Sequence, residues 1–179
     1  MPTQHPLRHF IIETLVLVVL ALVFAQGIKF LLVEPYLVPT GSMIPTIKER
    51  DRVLAFKLPF VFGAKPHNGD IVVIDDPTGE YPQLIKRVIA LEGQTIDLRD
   101  GSVYLDDRLL SEDYVHNKPT RAMGRVEFPY TVPEGSVFVM GDNRTNSADG
   151  RYFGAVPIKT VRGTGFWTYW PLRRFGSLK

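Results

Sequence analysis

Two residues stand out as able to do chemistry together, Ser42 and Lys86. The chain has no cysteine, which removes disulfides, a thiol nucleophile and cysteine-ligated zinc. A hydrolase of this composition needs an activated hydroxyl or a pair of carboxylates. Ser42 lies in VPTGSMIPT, residues 38–46, beside Gly41 and between Pro39 and Pro45. The G-x-S-x-G elbow of lipases is absent. Of the four histidines, His67 and His116 lie in no motif-like setting, though sequence does not rule out a histidine base. The other base that serves a serine is a neutral lysine. Lys86 interrupts the apolar run LIKRVIAL, residues 84–91. A free lysine has a pKa of about 10.4, so under ~0.1% is neutral at pH 7, and burial can bring that pKa to about 5–6. Strand alternation puts Lys86, Val88 and Ala90 on one face and Ile85, Arg87 and Ile89 on the other. Both faces mix charge with apolar bulk, and an edge-strand lysine reaching into solvent fits the same run. A third segment, MGDNRTNSADGRYFG at residues 140–154, is the densest polar cluster in the chain. By composition it reads as a polar turn. It offers a hydroxyl to orient an amine and an Asp149–Arg151 pair to brace a site.

These residues need elements to carry them. Residues 10–33, FIIETLVLVVLALVFAQGIKFLLV, would span ~36 Å as a helix, against about 30 Å of hydrocarbon. No polar face appears from Leu15 to Ala25, which argues against a buried core helix. A retained anchor is expected; a cleaved signal peptide ending near Ala25 is the rival reading. Arg8 before the run favours a cytoplasmic N-terminus and a domain outside the cytoplasm. Strand-like segments follow at 52–57, 70–75, 84–91, 95–105, 136–140 and 163–170. Asp100-Gly101 suits the turn of a hairpin. The expected fold is mainly β: a single transmembrane helix, then an antiparallel β-barrel or sandwich-like catalytic domain over 34–179. Residues 96–135 form a small inserted β-hairpin subregion, and 1–9 a cytoplasmic tail. The loop LPFVFG, 58–63, either dips into a membrane surface or packs on the core. A net charge of +2 gives no reason to expect nucleic acid. His5 and His9 lack a third ligand nearby, so neither metal nor cofactor is expected.

Taken in order, the anchor, EPYLVPTGSMIPT, GDIVVI, IKRVIALEG and GDNRTNSADGR resemble the bacterial type I signal peptidases, membrane-bound serine proteases with a Ser-Lys dyad. The ordered set covers most of the chain. The resemblance implies Ser42 as nucleophile and Lys86 as general base. It implies an oxyanion hole from the Ser42 N–H and the Thr40 hydroxyl. Ser147 would orient Lys86, with Asp149 and Arg151 supporting the loop. The substrate, a preprotein bearing a signal peptide, would lie extended beside Tyr36 to Thr40 and Leu84 to Lys86. Small pockets formed with Tyr36, Val38, Pro39, Met43, Leu84 and Ile85 would accept small side chains before the cut, in an Ala-X-Ala pattern. The lipid bilayer of the cell membrane would be the other partner. Thr40, Thr145 and Gly150 depart from the residues most usual in that family, yet none removes a reacting group. A plastid thylakoid relative fits the same motifs. A non-catalytic anchored β module that binds extended peptides remains the alternative. It would not require Ser42 and Lys86 to meet.

Overall fold

The structure is a computed structural model, and it describes residues 6–57, 60, 62–116, 118–124 and 126–178. Helix α1 runs Pro6–Leu32, starting earlier than the apolar run itself. Its stretch Arg8–Gly27 is the one helix, among the described residues, long and apolar enough to cross a membrane. Every side chain over that stretch is exposed, so nothing in the rest of the protein covers its apolar surface. Leu17 and Phe24, for example, project freely. An apolar helix left bare on all sides is suited to lipid rather than to water.

Two antiparallel sheets follow. The larger contains β1 (Val33–Leu37), β2 (Arg52–Phe56), β3 (Ile71–Asp75), β4 (Gln83–Leu91), β9 (Ser136–Met140), β10 (Val156–Pro157), β11 (Val161–Trp170) and β12 (Gly176–Ser177). Its order is β1-β2-β11-β3-β4-β9-β10, with β12 beside β11. The smaller holds β5 (Thr95–Arg99), β6 (Ser102–Leu105), β7 (Arg108–Leu109) and β8 (Tyr130–Thr131), in the order β7-β6-β5-β8. Its strands fall between Thr95 and Thr131. Asp100 and Gly101 join β5 to β6, with φ of 50° and 81°. Positive φ at both central residues is what a type I′ turn requires. Of the loop LPFVFG, residues 58, 59 and 61 lie outside the described residues; Phe60 packs against the core while Phe62 is exposed.

The sheets are held by three apolar clusters. Val72, Ile74, Val88, Val137 and Val139 pack on one face of the large sheet. Ile89, Ala90, Ile96, Val103 and Phe138 join it to the small sheet. Val38, Met43, Ile47, Val53 and Ile71 pin the connection between β1 and β2. Strand β3 is buried on both faces from Ile71 to Ile74, which explains its unbroken apolar run. Strand β4 carries a register shift against β9 between Val88 and Ala90. The extra residue breaks the simple alternation: Val88 enters one cluster, and Ile89 and Ala90 both enter another.

Strand β4 also changes partners along its length. From Gln83 to Arg87 it pairs with β3, and only from Arg87 onward does it pair with β9. Residues 83–86 therefore keep one backbone edge without a strand partner among the described residues. Such an edge is open to an added strand.

Candidate active site

Ser42 sits not on a strand but on a compact turn between β1 and β2. The turn folds because Val38 N–H bonds Asp51 O at 2.9 Å, Arg50 N–H bonds Val38 O at 2.8 Å and Ile47 N–H bonds Met43 O at 2.9 Å. Met43 and Ile47 drive its underside into the core, at 1% and 0% exposure. Asp51 accepts from Lys48 N–H and from two nitrogens of Arg174, so the C-terminal segment ties the turn's base.

Lys86 projects from β4 into the same place and is buried. Its Nζ lies 2.7 Å from Ser42 Oγ. Burial lowers its pKa from the ordinary 10.5 to about 8. The carboxylates of Asp149, Asp76 and Asp142 pull in the other direction, and Arg151 adds to the lowering. Desolvation is the largest cause, so the amine is far easier to find neutral than a solvent-exposed one. The sequence left open whether Lys86 or Arg87 faces inward. Both are buried, because β4 is covered on both faces at this point.

Thr40 Oγ1 donates to Ser42 Oγ across 3.4 Å, a long contact that puts a second hydroxyl beside that of Ser42. The Ser42 N–H meets no acceptor among the described residues and remains able to bond an incoming oxygen. The Ser42 carbonyl accepts from Asn143 N–H at 3.0 Å, and Asn143 Nδ2 holds the Gly41 carbonyl at 2.9 Å. The polar loop after β9 thus grips the turn carrying Ser42 through its backbone.

That loop is braced from within. Asp149 caps the one-turn helix α2 (Gly150–Phe153), accepting from Arg151 N–H. Its two oxygens also take Arg151 Nε and Nη2, each at 2.9 Å, and its Oδ2 takes Gly141 N–H at 2.9 Å. Asp149 and Arg151 are both buried, at 0% and 1% exposure. Gly141 stands where only hydrogen fits: a Cβ there would lie 2.2 Å from Ser147 Oγ and 2.5 Å from the Ser42 carbonyl oxygen.

Ser147 lines the same cavity as Ser42 and Lys86, and among the described residues its buried hydroxyl has no hydrogen-bond partner. The only side-chain bond Lys86 makes among the described residues is to Ser42, so the orienting contact to Ser147 is not formed in this arrangement.

All six residues expected to contact substrate line one apolar cleft that ends at Ser42: Tyr36, Val38, Pro39, Met43, Leu84 and Ile85. Its empty volume is about 590 Å³. Sequence reasoning missed Tyr81 and Val73 on its wall. It also missed the roles of Asp142 and Arg87. Asp142 is held by two Arg87 nitrogens at 2.8 and 2.9 Å and accepts the Thr46 hydroxyl from the Ser42 turn. The GDN run and the arginine after Lys86 were the signals available; composition reads the first as a polar turn, and strand alternation leaves the direction of the second open.

The family described as signal peptidase, peptidase S26, matches residues 11–170. The chain is 38% identical to the probable signal peptidase I-1 of a Synechocystis species over 176 residues, 94% of this chain and 87% of that protein. It is 35% identical to signal peptidase I of Bacillus licheniformis, covering 92% of this chain and 91% of the other. It is 38% identical to thylakoidal processing peptidase 1, chloroplastic, of Arabidopsis thaliana, across 78% of this chain and 43% of that one. Among solved structures, a signal peptidase I from Enterococcus faecalis superposes with a TM-score of 0.50 at 36% identity, covering 56% of this chain and 96% of its own.

Proposed function

The chain belongs to the signal peptidase family, peptidase S26, as a membrane-anchored serine endopeptidase that removes signal peptides from preproteins, and we propose that Ser42 and Lys86 are its catalytic pair. The observation that carries the proposal is the 2.7 Å approach of a buried amine, with its pKa lowered to about 8, to a hydroxyl at the end of an apolar cleft. At pH 7 roughly one such amine in ten is neutral, against under ~0.1% of free lysines. A peptide-binding module without catalysis gives no reason to bury that amine against that hydroxyl.

The preprotein lies as an added strand between the open edge of β4 at residues 83–86 and the segment from Tyr36 to Thr40. Val38, Met43 and Ile85 close the cleft around small side chains one and three positions before the cut. Neutral Lys86 takes the Ser42 proton as Oγ attacks the carbonyl carbon. The oxyanion is held by the Ser42 N–H and the Thr40 hydroxyl. The Lys86 ammonium returns its proton to the leaving amine, and the mature protein departs. Lys86 then takes a proton from water as that water attacks the ester carbonyl, and returns the proton to Ser42 Oγ as the signal-peptide acid leaves. Asp149 and Arg151 keep the loop bearing Gly141 and Asn143 in place. Ser147 lies in the same cavity, and a small rotation of either side chain would let it orient the amine.

Helix α1 crosses the cell membrane once with the N-terminus cytoplasmic, and residues 34–179 work outside the cytoplasm. From Val33 to Ser42 the chain can reach at most ~30 Å, so cleavage takes place near the bilayer surface, where a membrane-inserted signal peptide emerges. The test is cleavage of a synthetic preprotein segment by the purified full chain in detergent. Ser42→Ala and Lys86→Ala abolish the reaction, and Thr40→Val lowers its rate by ~10²–10³. Normal processing by Ser42→Ala protein would end the proposal.

A further inference from the structure

The segment between β7 and β8 is away from both reacting groups in sequence, yet Glu112, Lys118 and Thr120 bond Arg144 or Asn143 of the catalytic loop. The Glu112 side chain is only 7% exposed. Its two oxygens each accept from a different terminal nitrogen of Arg144, and Tyr114 OH donates to it at 2.8 Å. Arg144 is 1% exposed, and its Nε donates to the Gly141 carbonyl at 3.1 Å. Gly141 is the residue packed against the Ser42 carbonyl. A second route starts from the same place. The Tyr114 ring covers the Arg87 guanidinium, with 4.0 Å from Cζ to the ring centroid. Arg87 follows Lys86 on β4 and holds Asp142, which accepts from Thr46 in the Ser42 turn.

Two buried guanidinium groups therefore connect the segment after β7 to both sides of the reacting pair. A buried guanidinium that loses its carboxylate must find other acceptors or water, and Arg144 would do so by moving against the Gly141 carbonyl. Arg87 also donates to the Gly69 carbonyl at 2.9 Å, and losing the Tyr114 ring withdraws one of the contacts that set its tilt against Asp142. We propose that Glu112 and Tyr114 are positioning residues for the reaction: through Arg144 and Arg87 they fix where Gly141 and Asp142 stand, and so the alignment of Ser42 with Lys86. The connection between β7 and β8 is then part of the catalytic apparatus rather than an appendage. The inference rests on the reading of Ser42 and Lys86 as the reacting pair.

The test is steady-state cleavage of the synthetic preprotein segment by the full-length enzyme, well below the unfolding temperature of each variant. The variants are Glu112→Gln, Glu112→Ala, Tyr114→Phe and Tyr114→Ala, with Ser42→Ala beside them. Misalignment of the reacting pair lowers kcat and leaves KM nearly unchanged, since the cleft is untouched. Glu112→Ala and Tyr114→Ala are expected to lose roughly tenfold or more in kcat, with KM held within about twofold. Tyr114→Phe, which keeps the ring over Arg87, stays within about threefold, and Glu112→Gln falls between. If Glu112→Ala does not fold, the two Tyr114 variants decide. Wild-type kcat in Tyr114→Ala, or losses confined to KM, would overturn the inference. An active Ser42→Ala enzyme would instead overturn the reading beneath it, so the two failures are told apart.

Discussion

A single methyl group at residue 141 tests how tightly the catalytic turn is held. In Gly141→Ala the new Cβ would lie 2.2 Å from Ser147 Oγ, 2.5 Å from the Ser42 carbonyl oxygen and 2.7 Å from Ser147 Cβ. Ordinary contacts of this kind begin near 3.4 Å. Ser147 can rotate its hydroxyl away, but the Ser42 oxygen belongs to the backbone and already accepts from Asn143 N–H. Relief therefore requires the turn carrying Ser42 and the loop carrying Asn143 to part by about 1 Å, and a misplacement of that size costs roughly 10² in rate. Overpacking of this kind also costs about 1–3 kcal/mol of stability. The assay is kcat/KM for preprotein cleavage, with thermal unfolding of the same samples. Gly27→Ala serves as the control, since nothing lies within 4 Å of the added atom there. Cleavage within about threefold of wild type by a folded Gly141→Ala enzyme would refute the close packing on which the site geometry depends.

Two further outcomes follow from charge. Below pH 8 both the folded and unfolded chains hold the Lys86 proton, and the folded chain bears the full cost of burying it, about 3 kcal/mol. As pH rises from about 8 to 10.5 the folded chain gives up that proton first, so the cost fades, and above 10.5 it is gone. Lys86→Met is accordingly inactive yet more stable than wild type at pH 7, and denaturant melts show the gap closing as pH rises through that window. Asp149→Asn leaves the buried Arg151 without its carboxylate and loses about 3–5 kcal/mol in the same melts. Asp149 is the charge that most raises the Lys86 pKa, so in any folded fraction of that variant the rise of activity with pH moves to lower pH.

Much of the fold was readable because strands announce themselves by apolar runs and turns by chemistry. The segments 136–140 and 95–105 lie where the sequence puts them, and Asp100-Gly101 turns as its residues require. The short strands β7, β8, β10 and β12 were not readable, because two residues carry no periodicity and pair only where tertiary packing places them. The β4 bulge was hidden for a related reason: alternation assumes an unbroken register, and Ile89 breaks it. At the site, Ser42 and Lys86 were legible from their neighbours, whereas the inward direction of Lys86 depended on what covers β4. In the sequence Asp142 and Arg144 read as part of a polar turn, and the direction of Arg87 stayed open. Their burial is decided by partners distant in the chain, Glu112 and Tyr114 above all.

The central claim is that Lys86 reaches Ser42 as an uncharged amine at working pH. The direct measurement is an NMR titration of Lys86, with lysine labelled at Cε and the resonance assigned by comparison with Lys86→Met, followed beside the rate of Ser42 acylation. The account predicts a midpoint near 8 shared by the resonance and the rising limb of the rate. A lysine that titrates near its ordinary 10.5, or an acylation rate indifferent to pH across that midpoint, would contradict it.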